Sequence, residues 1–241
     1  MNVARFTARD ALAAADASAK HILSLLESTL ADREFATLAV SGGAGPRPMF
    51  LNLAASRFEW SRVHLFWVDE RCVPPTDPAS NYKLVNESLI TPAHFPAANV
   101  HRIKGEIDPK TAAAEYTADI RKFFGLTADA FPQFDVMHRG IGPDAHTASL
   151  FPGNPLVNDH EGIVGATFAP QFNQWRVTLL PAVLAAAHHT VLLVTGEEKQ
   201  EAVRNVFQEE YNPLKYPAQI APPQNRGVTW FLDDKAAALL D

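Results

Sequence analysis

Cysteine is nearly missing from this chain. Cys72 is the only one in 241 residues, which excludes an intramolecular disulfide and suits a reducing compartment. Basic charge is also short: 21 Lys and Arg stand against 27 Asp and Glu, for a formal net charge of −6. The cations are scattered, so neither a nucleic-acid footprint nor a polybasic membrane patch is visible. No stretch approaches the roughly eighteen apolar residues of a membrane helix. The opening residues lack a basic segment followed by an apolar run and a cleavage site. These absences predict a cytoplasmic protein without nucleic-acid or membrane partners. An anionic ligand would be held by a few local cations and not steered by the whole molecule.

Hydrophobic side chains make up 47% of the chain, enough for a full core without disulfides or metals. The periodicity predicts one α/β domain over residues 1–241. Apolar positions from Leu12 to Leu30 recur at helical spacing. Thr37–Val40 reads as a strand, followed by a helix over Met49–Ala55. Val63–Val68 is a near-continuous apolar run, as expected of a buried parallel strand. Ser80 is placed to cap a helix reaching Leu89, and Pro109–Phe124 reads as a helix stopped by Gly125. A strand from Phe134, then Trp175–Leu179, Val191–Val194 and Val228–Leu232 follow, with helices over 181–187, 197–208 and 234–240. Strands alternating with helices predict a parallel sheet covered on both faces. Residues 153–174 give no clear signal.

Four strand ends carry polar residues with glycine or charge, and in open α/β sheets ligands bind outside such carboxyl ends. Ser41, Gly42 and Gly43 could offer backbone N–H groups to a phosphate, although a tight turn needs the same glycines. Asp69 follows a buried strand, where a carboxylate needs a partner. Arg71 could pair with it or bind an oxyanion. His146 follows a Gly-x-Gly-Pro-Asp turn and precedes Thr147 and Ser149. Histidine as a side chain has an unperturbed pKa of about 6.5, which suits proton transfer, and Asp69 or Asp144 could orient His146. Arg176 and Lys199 are further cations near strand ends. His188-His189 lacks metal-ligand spacing to an acidic or thiol partner, so no metal site is read. Cys72 reads as a packed residue and not a nucleophile.

The runs LAVSGGAGP, FWVDERCVPPTDPASNY, GIGPDAHTASLFPG, VTGEEK and WFLD resemble the 6-phosphogluconolactonase family, within the wider group that includes glucosamine-6-phosphate deaminase/isomerase. They cover about residues 38 to 235. The resemblance implies a Rossmann-like three-layer α/β/α fold with a mostly parallel sheet. It also implies hydrolysis of 6-phospho-D-glucono-1,5-lactone to 6-phosphogluconate in the oxidative pentose phosphate pathway. No cofactor is implied. The partner is a phosphosugar lactone, and the chain is a monomer or a homodimer. Ser41, Gly42 and Gly43 match the first sugar-phosphate loop, Asp69 and Arg71 the acidic–basic pair, His146 the general base, and Arg176 and Lys199 the phosphate cations.

Three positions depart from the family pattern. Ala44-Gly45 replaces a Ser-Thr pair in the first loop, removing two hydroxyls worth about 1.5–3 kcal/mol each if nothing replaces them. Ala145 stands where the family has glycine. His138-Arg139 replaces an apolar pair, and Arg139 is expected to enter the crevice and compensate for the missing hydroxyls. Ala44, Gly45 and Ala145 support an alternative, a catalytically weak phosphosugar-binding protein of the same fold.

Overall fold

The computed structural model describes residues 3–43, 45–221 and 227–240. Its centre is a sheet of seven strands: β1 (Ala4–Ala8), β2 (Ala36–Val40), β3 (Val63–Trp67), β5 (Val100–His101), β6 (Val136–Arg139), β9 (His189–Val194) and β10 (Gly227–Asp233). The order is β1-β10-β9-β6-β2-β3-β5, and every pairing is parallel. Side chains alternate between faces, as strand geometry requires. Along β9, Val191 and Leu193 enter one apolar cluster. Leu192 and Val194 enter another.

The helices are α1 (Ala11–Asp32), α2 (Arg47–Ala54), α3 (Asn81–Val85), α4 (Pro109–Phe124), α5 (Pro181–Ala186) and α6 (Gln200–Gln208). Their ends follow local chemistry. Asp10, Ser80 and Asp108 accept backbone N–H groups at the starts of α1, α3 and α4. Gly125 closes α4 in the left-handed conformation, at φ 60. Tyr116 of α4 straddles Trp67, accepting its N–H at 2.8 Å and donating to its carbonyl at 2.9 Å.

The three-layer parallel architecture agrees with the sequence expectation, with additions. Trp175–Leu179 does not join the parallel sheet. It lies in β8 (Gln174–Leu179), the middle of an antiparallel sheet between β4 (Asp69–Arg71) and β7 (Val164–Ala169). Asp69–Arg71, directly after β3, is therefore itself a strand. The helix expected over 234–240 is a succession of turns, bonded from residue 238 to 235 and from 240 to 237. Seven residues are too few to propagate a helix without strong packing. No helix among the described residues is long and apolar enough to cross a membrane.

The sheet sets the position of the site. From β2 the chain moves outward through β3 to β5, then returns to place β6 on the other side of β2. The reversal between β2 and β6 opens a crevice at their carboxyl ends, where Ser41 and Gly140 emerge.

Candidate active site

The crevice measures about 990 Å³ and is lined by Ser41–Gly43, Asp69, Arg71, His146, Arg176 and Lys199. Eight of the sequence candidates thus share one cavity.

Asp69, 5% exposed, is held by three segments. Ser41 Oγ donates to its Oδ1 at 2.8 Å, and Ser149 Oγ to its Oδ2 at 2.8 Å. Asn81 Nδ2 donates to its backbone carbonyl at 2.8 Å. Asp69 therefore ties the β2 turn, the His146 segment and the start of α3 together. Its neighbour Glu70 accepts the backbone N–H groups of Arg71, Asn81 and Tyr82, each at 2.7 Å. Burial raises the Glu70 pKa, while those three N–H groups pull it back down. Glu70, Asn81 and the bond made by Ser149 were not legible as site features. The signal lay in the Ser80-Asn81-Tyr82 run, whose backbone donors match one buried carboxylate.

His146 is oriented by Asp144 and not by Asp69. Asp144 Oδ1 lies 2.5 Å from His146 Nδ1 and accepts the His146 backbone N–H at 3.2 Å. Burial pushes the Asp144 carboxyl up, but the hydrogen bonds and charge of His146 outweigh it and hold the group below its ordinary pKa. An ionised carboxylate can only accept, so Nδ1 carries a proton, and in the neutral imidazole the lone pair is on Nε2. The turn requires glycine at 142, because a Cβ there would fall 2.0 Å from His146 Nδ1. Gly142 N–H donates to the His146 carbonyl at 2.8 Å, closing the turn. Ala145 occupies a left-handed conformation, φ 63, and its carbonyl accepts from Ala218 N at 2.9 Å.

Arg71 and Arg176 face each other across β4 and β8. Arg71 Nη1 donates to the Ala79 carbonyl at 2.6 Å. Arg71 Nε and Arg176 Nε and Nη1 are buried without a partner among the described residues. Arg176 stacks over Phe172 at 5.3 Å. Burial, then the adjacent Arg71 charge, lower the Arg176 pKa. Like charges directly opposite on paired strands repel, and an anion between them would satisfy both. Lys199, half-buried, also has its pKa lowered by burial.

Arg139 does not enter the crevice. It is fully buried, donates Nη2 to the Ile220 carbonyl at 2.8 Å, and lines a separate cavity beside α6. The reason is strand alternation: Arg139 ends β6 opposite Leu192 in the sheet, and its side chain packs on the face they share instead of over the carboxyl edge. It cannot replace the missing loop hydroxyls there. Ala44 lies outside the described residues. At Gly45, an added Cβ would come 3.8 Å from Thr195 Oγ1, so a hydroxyl from β9's end stands beside the gap. Burial pushes the Cys72 thiol up to about 11, unsuited to a thiolate nucleophile. Among the described residues no group of three or more His, Cys, Asp or Glu could hold a metal ion.

The family model described as glucosamine-6-phosphate isomerases/6-phosphogluconolactonase matches residues 9–230. A 6-phosphogluconolactonase from Synechocystis is 34% identical over 212 residues, spanning 88% of this chain and 87% of that protein. The crystal structure of 6-phosphogluconolactonase from Thermotoga maritima is 27% identical, with a TM-score of 0.84, covering 96% of this chain and 100% of that one. A monomeric glucosamine-6-phosphate deaminase superposes with a TM-score of 0.82 at 16% identity over 98% of this chain and 100% of that chain. That last likeness concerns the fold alone.

Proposed function

Because the chain belongs to the glucosamine-6-phosphate isomerase/6-phosphogluconolactonase family, we propose that it hydrolyses 6-phospho-D-glucono-1,5-lactone to 6-phosphogluconate, with His146 as general base. The observation that carries this reading is the Asp144–His146 hydrogen bond, opening onto the same crevice as two arginines with unpartnered guanidinium nitrogens. A lactone is an activated ester, so one oriented base suffices and no covalent nucleophile is needed.

Water attacks the lactone carbonyl carbon while His146 Nε2 takes its proton. The imidazolium is stabilised by Asp144 through Nδ1–H. The oxyanion formed at the carbonyl oxygen is met by backbone N–H groups of the Ser41–Gly43 turn. Collapse breaks the bond from that carbon to the ring oxygen. His146 returns its proton to that oxygen, leaving an open-chain acid that ionises. Arg71, Arg176 and Lys199 supply the charge-assisted bonds that a phosphate dianion requires. Asp69, whose two oxygens each accept from a serine hydroxyl, positions the loops. Thr195 supplies a hydroxyl beside Gly45.

A second reading, a phosphosugar-binding protein with little turnover, is favoured by the alanine at left-handed position 145. Incubation of the purified protein with the lactone and with glucosamine 6-phosphate separates the possibilities. Lactone hydrolysis well above its spontaneous rate, with no reaction of the amino sugar, supports the proposal. Saturable 6-phosphogluconate binding without turnover supports the second reading.

A further inference from the structure

The connection between β7 and β8 brings an aromatic side chain to the crevice. Pro170–Phe172 forms a short helical turn, and Asn173 takes the left-handed conformation, φ 47, that sends the chain back into β8. Pro170 enters the turn with its φ already fixed, and asparagine tolerates the left-handed region better than most residues. Asn173 N–H donates to the Pro170 carbonyl at 3.1 Å, closing the tip. Phe172 is thereby held at a set position, lining the crevice while 53% of its surface stays exposed.

A single exposed aromatic residue is ordinary on a protein surface, and Phe168 and Trp175 of the same hairpin are of that kind. Their rings pair with each other at 5.7 Å, and neither lines the crevice. Phe172 differs in what it touches. The Arg176 guanidinium lies 5.3 Å from its ring centroid, and the Phe151 ring lies 5.9 Å from it. Phe151 in turn packs against the His146 ring at 4.6 Å. The two phenylalanines thus form a row of contacts from the arginine assigned to the phosphate to the histidine assigned as base. Phe151 is buried, so the accessible apolar surface in that row belongs to Phe172. The lactone carries its phosphate on C6 and its reacting carbonyl at C1. A molecule held at both ends of the row must lay its intervening carbons alongside it.

We propose that Phe172 is a further substrate-binding residue, the apolar wall on which the C–H face of the phosphosugar packs between Arg176 and His146, a role that rests on the reading of the crevice as the lactone site. A sugar is amphipathic: its hydroxyls need hydrogen-bond partners, whereas its C–H groups gain by leaving water against an apolar surface. Small-molecule sites commonly join such walls to a few placed polar groups. In this crevice the placed groups are Arg71, Arg176, Lys199 and His146, and Phe172 is the exposed aromatic surface beside them. The contact orients the substrate as well as binding it, since it limits where the carbon body can lie while the carbonyl faces the base.

Calorimetric titration of the whole protein with 6-phosphogluconate tests the proposal, at low and at high salt, on wild type and on Phe172→Ala, Phe172→Leu and Phe172→Tyr. Phe172→Ala should weaken binding by about three- to tenfold, the scale of one aromatic contact, and raise KM for the lactone by a similar factor. Phe172→Tyr, which keeps the ring, should retain most of the wild-type affinity, and Phe172→Leu should fall between. The ratio of wild-type to Phe172→Ala affinity should be the same at both salt concentrations, because the lost contact carries no charge. Each variant should unfold close to the wild-type temperature, since the side chain is half-exposed. Equal affinity in wild type and Phe172→Ala would overturn the proposal and leave the reading of the crevice intact. A loss confined to low salt would also overturn it, by showing that Phe172 acts only through the charge of Arg176. Wild type that binds no 6-phosphogluconate would overturn the reading of the crevice, and the proposal with it.

Discussion

Replacing His138 by leucine is expected to stabilise the protein and flatten its response to acid. His138 lies in β6 with 1% of its surface exposed, its ring edge-on to Phe50 at 5.9 Å. Neither ring nitrogen has a partner among the described residues. A buried polar group left unpaired costs about 1–3 kcal/mol, and a leucine of similar volume removes that cost without opening a cavity. The same burial lowers the imidazole pKa from 6.5 to about 3. Between those values the unfolded chain binds a proton that the folded chain refuses. The contribution to stability is therefore complete above pH 6.5 and is lost as pH falls toward 3. For a single site of this kind, moving from pH 7 to pH 5 removes about 2 kcal/mol. Urea unfolding followed by circular dichroism at both pH values reads the effect. The variant should exceed wild type by about 1–3 kcal/mol at pH 7, and the gap should widen by about 2 kcal/mol at pH 5. His21, His64 and His189, whose pKa values burial also lowers, leave the variant some residual acid sensitivity. A variant no more stable than wild type at pH 7 and parallel to it in acid would refute the reasoning.

Ala145→Gly relieves left-handed strain of about 1–2 kcal/mol. It loses a buried methyl worth about 0.8 kcal/mol and adds glycine's chain entropy of about 0.5–1 kcal/mol. Its urea midpoint should therefore match wild type to within about 1 kcal/mol, and a loss of several would contradict the strain argument. Arg176→Ala should raise KM for the lactone about tenfold or more with kcat little changed; an unchanged KM would remove Arg176 from the phosphate site. Asp144→Asn should lower kcat by about 10²-fold with saturation retained, since the tautomer is no longer fixed. Unaltered turnover in that variant would contradict the positioning role.

Much of the fold was legible because its signals are local. The Asp108-Pro109 start and Gly125 stop of α4, and the apolar run of β3, follow from capping and burial within a few residues. The edge strand β1 was not legible, since four of its five residues are exposed and show no alternation of burial. The antiparallel trio β4-β8-β7 was missed because β4 has three residues, too short for periodicity, and its pairing is long-range. The crevice residues were readable from strand ends, where sequence order and spatial position coincide. Arg139 was misread because its destination depends on the face of β6, a choice that register with Leu192 makes. Asp69 and Asp144 could not be distinguished as the partner of His146 without the turn geometry at Gly142.

The measurement that bears most directly on the account is lactone turnover by His146→Ala beside wild type, with 6-phosphogluconate binding measured on both. The account predicts that the substitution removes about 10²–10⁴-fold of the catalysed rate while product binding survives, because Arg71, Arg176 and Lys199 remain. A His146→Ala protein that hydrolyses the lactone at the wild-type rate would contradict it.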